Sequence, residues 1–323
     1  MATTAVPRAA ARAIVARSTT DRPLLRAFLE RDRLFAAYAL CDLDVREFSR
    51  TRWGVALEAE EVVALGLEYG GYAPQPLCVM GEPAGTSAIL AEVIRPRAAY
   101  AAMLPASLPA VEAHYRVEPG PPMVRMWVDR ASFRPYPADV ARLLPVEIGD
   151  LNRLYQLGFT AWLPPSAIAE GVYYGIRIDG RLVAAAGTHV ISPEARLGVV
   201  GNVLTHVEFR GRGFATAVPG AVTAELLRFC DQVVLNVRSD NPPALQAYRK
   251  LGYREHVRFE ERLVHRVDPG PQMVRMWVDR ATFRPYPAQV ARLLPVEVGD
   301  LNRLYQLGFT AWLPPSAIAE GVY

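Results

Sequence analysis

The sequence has few cysteines, no long apolar run and no concentrated charge. Its three cysteines, Cys41, Cys78 and Cys230, are odd in number and far apart. That pattern argues against a disulfide framework or a zinc site and is typical of reduced core residues in a cytosolic protein. No apolar run has the roughly 20 residues that a membrane-spanning helix needs. We therefore expect a cytoplasmic protein with no metal and no membrane partner.

Positive and negative charges nearly balance. The chain has 36 Lys and Arg against 33 Asp and Glu, a net charge of +3. Because the arginines are dispersed rather than massed, a nucleic-acid partner is not indicated. At 323 residues with 51% hydrophobic residues, the chain is too long for one ordinary compact domain and can build more than one packed core. We expect two or more domains.

The most informative stretch runs from Val199 to Phe229. An apolar strand pattern leads into the turn Arg210-Gly211-Arg212-Gly213, which a helical pattern follows. Such a turn gathers backbone N–H groups at the positive end of a helix dipole, and its glycines allow a ligand to approach closely. It predicts a pyrophosphate site. Glycines alone would be a weak signal, since helix entries often carry them for steric reasons.

A second motif follows about twenty residues later, after the strand pattern Val233–Arg238. The two motifs together comprise Arg210, Gly213, Ala215, Asn241, Ala244, Tyr248, Gly252 and Tyr253. In order and spacing they resemble the patterns Arg/Gln-x-x-Gly-x-Gly/Ala and Asn-x-x-Ala-x-x-x-Tyr-x-x-x-Gly-Phe/Tyr of the GCN5-related N-acetyltransferases, the GNAT superfamily. The chain is most similar to their two-domain FR47-like and glycine N-acyltransferase-like type.

The resemblance implies an α+β fold with a central mixed, mostly antiparallel sheet flanked by helices. We expect a frayed basic terminus over residues 1–20, a degenerate GNAT-like domain over 21–130, a catalytic GNAT domain over 131–266 and a tail over 267–323. Residues 21–130 show helix patterns before strand patterns but lack the motif turn, so no phosphate site is expected there. An unrelated α/β domain is the alternative for this segment.

The tail is a partial repeat. Residues 117–173 recur as 267–323, with five differences in 57 positions. The tail lacks the motif turn and cannot be a second active site. Both copies carry the same apolar faces and should compete for the sheet built by 174–266; we expect the upstream copy to win because its loop closure costs less. The tail would then dock elsewhere, stay mobile or swap into a homodimer, unless it is a fusion artefact without a role.

The resemblance further implies an acyl-CoA-dependent N-acyltransferase, which moves acetyl from acetyl-CoA to a small-molecule amine or a peptide amino terminus by direct attack. Backbone at the end of the motif strand would hold the pantetheine arm and the thioester carbonyl, and the turn would hold the diphosphate. The cofactor-binding residues implied are Val203, Leu204, Thr205, Arg210, Gly211, Arg212, Gly213, Phe214, Ala215, Thr216 and Asn241. Asn241 is equally well explained as a helix cap before Pro242.

Tyr248 is implied as the general acid, since a phenol with a pKa of about 10 is protonated at neutral pH and can donate to a departing thiolate. The general base is open. Many relatives carry a glutamate where this sequence has Asn236, and an amide cannot accept a proton. A water chain or another residue would then serve; His189, His206 and Glu208 lie nearby, although each is more typical of a structural or solvent-facing residue.

Three departures keep a second function class open, a catalytically weak CoA-binding or regulatory protein. They are Asn236, the aberrant tail and Pro219, which lies inside the helix after the turn and should kink that helix or delay its start. The acceptor is not indicated by the sequence. We expect specificity to lie in residues 157–166 and in a final strand pair over 253–264.

Overall fold

The computed structural model describes residues 13–71, 73–159 and 162–267. The strands in these residues are β1 (Ile14–Ser18), β2 (Thr51–Glu58), β3 (Glu61–Tyr69), β4 (Gln75–Gly81), β5 (Ala98–Met103), β6 (Tyr115–Val117), β7 (Met123–Asp129), β8 (Ala141–Arg142), β9 (Tyr174–Ile178), β10 (Arg181–Ser192), β11 (Leu197–Thr205), β12 (Gln232–Arg238) and β13 (Arg254–Arg266). The helices are α1 (Arg22–Leu29), α2 (Ala37–Cys41), α3 (Val45–Phe48), α4 (Pro83–Glu92), α5 (Leu108–Glu112), α6 (Ile148–Tyr155), α7 (Pro165–Glu170), α8 (Phe214–Leu226) and α9 (Pro242–Lys250).

These strands form one mixed sheet. Its order is β1-β2-β3-β4-β5-β13-β7-β12-β11-β10-β9-β8, and β6 also pairs with β13. The pairs β4–β5 and β11–β12 are parallel, and the other pairs are antiparallel. Helices α4 and α8 pack on the two ends of the sheet. The expected α+β class with a mixed, mostly antiparallel sheet is confirmed.

One strand, β13, lies in the middle of the sheet and joins its two halves. Residues 254–259 pair with β7, and residues 260–265 pair with β5. The expected strand pair over 253–264 is therefore wrong, because no Gly, Pro, Asn, Asp or Ser interrupts residues 254–266 to form a turn. The domain boundary at residue 130 stays a prediction; β7, which precedes it, pairs with β12 and β13.

Two further local expectations need correction. Residues 14–18 of the terminus expected to be frayed pair with β2, because Ile14 and Ala16 can pack on the apolar core of the N-terminal half. Residues 1–12 lie outside the described part of the chain. Helix α8 begins at Phe214 and runs through Pro219, so a late start is wrong. The proline removes only one hydrogen bond of the helix, and Thr223 Oγ1 donates to Pro219 O at 2.7 Å.

The N-terminal half contains a parallel β4–α4–β5 unit with the topology of β11–α8–β12. Its turn differs in chemistry. Glu82 is the N-cap residue of α4 and places a carboxylate at the positive end of the helix dipole, where an anion would otherwise bind. This turn offers no phosphate site.

The upstream copy of the repeat packs on the sheet. Leu151, Leu154 and Tyr155 of α6 are buried, and α6 lies against β10. Tyr155 Oη donates to the carbonyl oxygen of Asn202 on β11. The tail over 268–323 lies outside the described residues, so its competition with this copy and its part in a homodimer stay predictions.

No helix in the described part of the chain is long and apolar enough to cross a membrane. Within the same residues, no group of three or more His, Cys, Asp or Glu side chains is placed to hold a metal ion. Cys41, Cys78 and Cys230 are free thiols, and burial raises the pKa of each above the usual range.

Candidate active site

A cavity of about 1980 Å³ is lined by residues from both halves of the sheet. Its walls include the ends of β11 and β12, the turn that follows β11, and parts of α2 and α9. It brings together every predicted site residue except Arg212, whose guanidinium lies 5.2 Å from the centre of the Phe209 ring. Motifs separated by some thirty residues of sequence thus face one space.

Strands β11 and β12 diverge inside this cavity. They pair only from Leu197–Gln232 to Val200–Leu235, although β11 continues to Thr205 and β12 to Arg238. Beyond the last pair, the side of β11 that faces β12 leaves its backbone groups open. The predicted pantetheine residues Val203, Leu204 and Thr205 lie on this open segment, and Thr205 Oγ1 is buried with no hydrogen-bond partner among the described residues.

The turn after β11 exposes backbone donors. Gly211 and Gly213 have φ of +79° and +82°, a conformation that glycine adopts without strain, and Gly213 is the N-cap of α8. Among the described residues, the N–H groups of residues 211–215 donate to no protein acceptor, whereas Thr216 N–H donates to Gly213 O at 2.9 Å. Arg210 Nε donates to Thr205 O at 3.4 Å and so links the turn to the strand. The free donors lie at the positive end of a 13-residue helix and can bind an anion.

Two predicted residues lie on α9. Asn241 is its N-cap, and the Oδ1 atom accepts from Ala244 N–H at 3.3 Å. Tyr248 is buried at the cavity wall, and its hydroxyl has no hydrogen-bond partner in the described part of the chain. Burial raises the pKa of Tyr248 to about 12. The phenol therefore keeps its proton at neutral pH and is free to donate it.

A carboxylate that the sequence did not indicate lies beside Asn236. Asn236 Nδ2 donates to Glu261 Oε2 at 3.4 Å, and both residues line the cavity. Asn236 directly follows Leu235, the last β12 residue paired with β11. Burial raises the pKa of Glu261, and the nearby guanidinium of Arg125 opposes that rise. A carboxylate can accept a proton, which the amide of Asn236 cannot.

A histidine of β10, His189, lies over the diverging strand β11. A Cβ built on Gly201 would come within 2.2 Å of His189 Nε2, so glycine leaves room for the ring over β11. His189 Nδ1 lies 2.7 Å from Tyr38 Oη, and Nε2 lies 3.2 Å from Asn202 Oδ1. The imidazole is accessible from the cavity, but dense surrounding protein lowers its pKa and keeps it neutral. Both of its ring nitrogens already have partners.

The other two base candidates do not line the cavity. His206 is buried, with Nε2 at 2.6 Å from Arg181 Nη2, and its Nδ1 accepts from Glu208 N–H. The Glu208 side chain is 69% exposed. These contacts explain both residues as structural or solvent-facing.

The α6–α7 loop forms an apolar part of the wall. Phe159, Trp162, Leu163 and Pro164 line the cavity, and Trp162 is 64% exposed. Exposed apolar surface of this kind often marks a binding site. The expected role of residues 157–166 in acceptor specificity stays a prediction.

Residues 173–263 match a family model described as FR47-like protein. This segment is an FR47-like domain of the GNAT superfamily. The FR47-like domain contains the strand divergence, the turn, Tyr248 and Glu261, so the resemblance inferred from the two motifs is confirmed. Tyr38 and Arg125 reach the same cavity from outside the domain.

Comparisons with individual proteins extend this result. A mycothiol acetyltransferase from Tsukamurella paurometabola is 35% identical over 101 residues, which are 30% of this chain and 35% of that protein. The chain therefore matches only about a third of the length of this curated relative.

Two solved structures share the fold. A Drosophila protein superposes with a TM-score of 0.60 at 12% identity, covering 79% of this chain and 99% of that one. A GCN5-related N-acetyltransferase from Sphaerobacter thermophilus superposes with a TM-score of 0.54 at 15% identity, covering 80% and 98%. At these identities the likeness concerns the fold alone, and its coverage extends beyond the FR47-like domain into the N-terminal half.

Proposed function

We propose that this chain transfers an acetyl group from acetyl-CoA to a primary amine, on a small molecule or a peptide amino terminus, by direct attack. The observation that carries the proposal is the divergence of β11 from β12, which opens toward unpaired amides at residues 211–215. Tyr248 and Glu261 face the same cavity. The name of the mycothiol acetyltransferase supports acetyl as the group transferred.

The residues present fit coenzyme A. Free N–H groups at the start of α8 suit its diphosphate, and the unpaired edge of β11 with the orphaned Thr205 Oγ1 suits the amide groups of its pantetheine arm. When bound, acetyl-CoA supplies an acetyl group activated as a thioester. Backbone at residues 203–205 would orient that group and stabilise charge on its carbonyl oxygen.

Two side chains would move the protons. An amine attacks only as the free base, and Glu261 Oε1, which has no hydrogen-bond partner among the described residues, can accept its proton. Tyr248 can donate its proton to the departing sulfur, because it remains a phenol at neutral pH. His189 is less suited as the base, since Tyr38 and Asn202 occupy both of its nitrogens.

Isothermal titration with acetyl-CoA and a thiol-release assay over a panel of amines test the proposal together. Binding with amine-dependent release of free thiol supports it. Binding without release for any amine favours the catalytically weak CoA-binding protein instead. Absence of binding contradicts both functions.

The turn gives a separate prediction. In Gly213→Val, a β-branched residue must adopt φ near +82°, and its Cβ would lie 2.7 Å from Tyr136 Oη. The turn would relieve this strain of about 1–3 kcal/mol by shifting the N–H groups of residues 211–215 out of their present positions. The Kd for acetyl-CoA should therefore rise about tenfold or more. Titration of wild type and variant measures this change.

The matched control is Gly180→Val, which imposes similar strain at φ +76° in the β9–β10 hairpin, away from the cavity. It should lower thermal stability but leave the Kd for acetyl-CoA within about twofold. An equal rise in both variants would show that the amides of residues 211–215 do not hold the coenzyme.

A further inference from the structure

A buried carboxylate without a partner lies in the cavity at the end of α2. Asp42 is only 8% exposed and lines the cavity. In the part of the chain that the structure describes, its carboxylate accepts no hydrogen bond and has no ion-pair partner within 4.0 Å. A buried ionised carboxylate is costly unless a cation or hydrogen-bond donors stabilise it.

The groups around Asp42 increase this cost. Burial raises the pKa of Asp42, and the like charges of Glu47 and Asp44 add to this effect, so that the pKa reaches about 7. Both neighbours have donors of their own: Tyr69 Oη donates to Glu47 at 2.6 Å, and Ser192 Oγ donates to Asp44 at 2.9 Å. Arg50 pairs with Glu47 at 3.6 Å. All three acids line the cavity, as do Arg46 and Arg50, and of the three acids only Asp42 has no partner among the described residues.

This wall lies close to the proposed reaction centre. Tyr38 and Asp42 are four residues apart in one helical segment and therefore project on the same side, with Cβ atoms about 5–6 Å apart. The charges of both Asp42 and Glu261 act on Tyr38, and Tyr38 Oη contacts His189. Tyr38 is thus close enough to both Asp42 and Glu261 to sense the charge of each, and all three residues line the same cavity.

We infer that Asp42 binds a second ammonium group of the acceptor, so that the acceptor is an alkyl diamine or polyamine. The inference rests on the proposed function, with one amine of the acceptor near Glu261 and another near Asp42. A metal ion is a poor alternative occupant, since no group of three possible ligands occurs among the described residues. An ammonium needs only the one strong acceptor that Asp42 provides and benefits from the negative charge of Asp44 and Glu47.

The test compares cadaverine with pentylamine, which have equal carbon chains and differ in the second ammonium. With wild type, kcat/KM for cadaverine should exceed that for pentylamine about tenfold or more, through a lower KM. In Asp42→Asn, which keeps the shape and removes the charge, this ratio should fall to about one. The matched control is Asp179→Asn, which removes an exposed charge from a hairpin turn where asparagine also tolerates the positive φ. It should leave the ratio unchanged.

Calorimetric titration of cadaverine into the CoA-bound protein separates failure of the inference from failure of the proposed function. If no amine releases thiol, the acetyltransferase proposal fails, and the inference is decided by whether cadaverine binds at least tenfold more weakly to Asp42→Asn than to wild type. If thiol is released but cadaverine and pentylamine have equal kcat/KM, the acetyltransferase proposal stands and the diamine inference is overturned. An unchanged ratio in Asp42→Asn, with native circular dichroism, also overturns it.

Discussion

Substitution of Glu261 by glutamine is expected to lower kcat for amine acetylation about 10²- to 10⁴-fold. Glutamine keeps the length of the side chain and its contact with Asn236 but cannot accept a proton. Affinity for acetyl-CoA should stay unchanged, because the amides of residues 211–215 are untouched. Steady-state kinetics with one amine, together with titration of acetyl-CoA, measure both quantities.

The pH profile distinguishes a base from a merely structural carboxylate. A base works in its deprotonated form, so kcat should fall as pH falls through the pKa of Glu261. Burial raises this pKa, which places the acid limb above the pH expected of an exposed glutamate. Glu261→Gln should lose that limb.

His189→Gln is the comparison variant. It removes an imidazole whose nitrogens contact Tyr38 and Asn202 but leaves the Glu261 carboxylate in place. If His189→Gln abolishes the acid limb while Glu261→Gln retains it, the base is the histidine and our assignment is wrong.

Tyr248→Phe is expected to lower kcat about 10²-fold or more, because the thiolate would leave without its proton donor. With a pKa of about 12, Tyr248 holds its proton across the neutral range and should produce no basic limb there. The Kd for acetyl-CoA should change little, since in the described part of the chain the hydroxyl has no partner whose loss would disturb the fold. Thiol release under saturating substrates measures the effect.

Tyr253→Phe is a matched control for removal of a phenol. Tyr253 lies 6.1 Å from Tyr248 between ring centres, but its hydroxyl contacts Thr223 at 2.7 Å and it does not line the cavity. This variant should lose about 1 kcal/mol of unfolding free energy and keep kcat within about threefold. Equal loss of kcat in the two variants would contradict the role of Tyr248 as general acid.

Local chemistry made much of the FR47-like domain predictable from sequence. The hairpin at Asp179-Gly180, the start of α8 after Gly213 and the cap at Asn241 each depend on residues within a few positions of one another. The turn at residues 210–213 was predictable for the same reason, because its residues are consecutive and lie directly before α8.

The candidate base could not be found in this way. Glu261 meets Asn236 only because β13 and β12 both pair with β7, and the register of three strands is not encoded in any short segment. The sequence carried one signal for a buried carboxylate: in a strand, Glu261 lies on the same face as Phe259, an apolar residue that is expected to be buried. The role proposed for Asp42 could not be predicted either, because its burial and its lack of a partner among the described residues depend on the folded cavity.

The double pairing of β13 also bears on how the protein is made. During synthesis, β5 leaves the ribosome long before residues 254–266, and until then one edge of the nascent N-terminal sheet has no neighbour. Such an edge can pair with another nascent chain. The same strand also pairs with β7 of the C-terminal half. Expression of either half alone would therefore leave a strand without its neighbour. The two halves are therefore expected to fold together rather than independently.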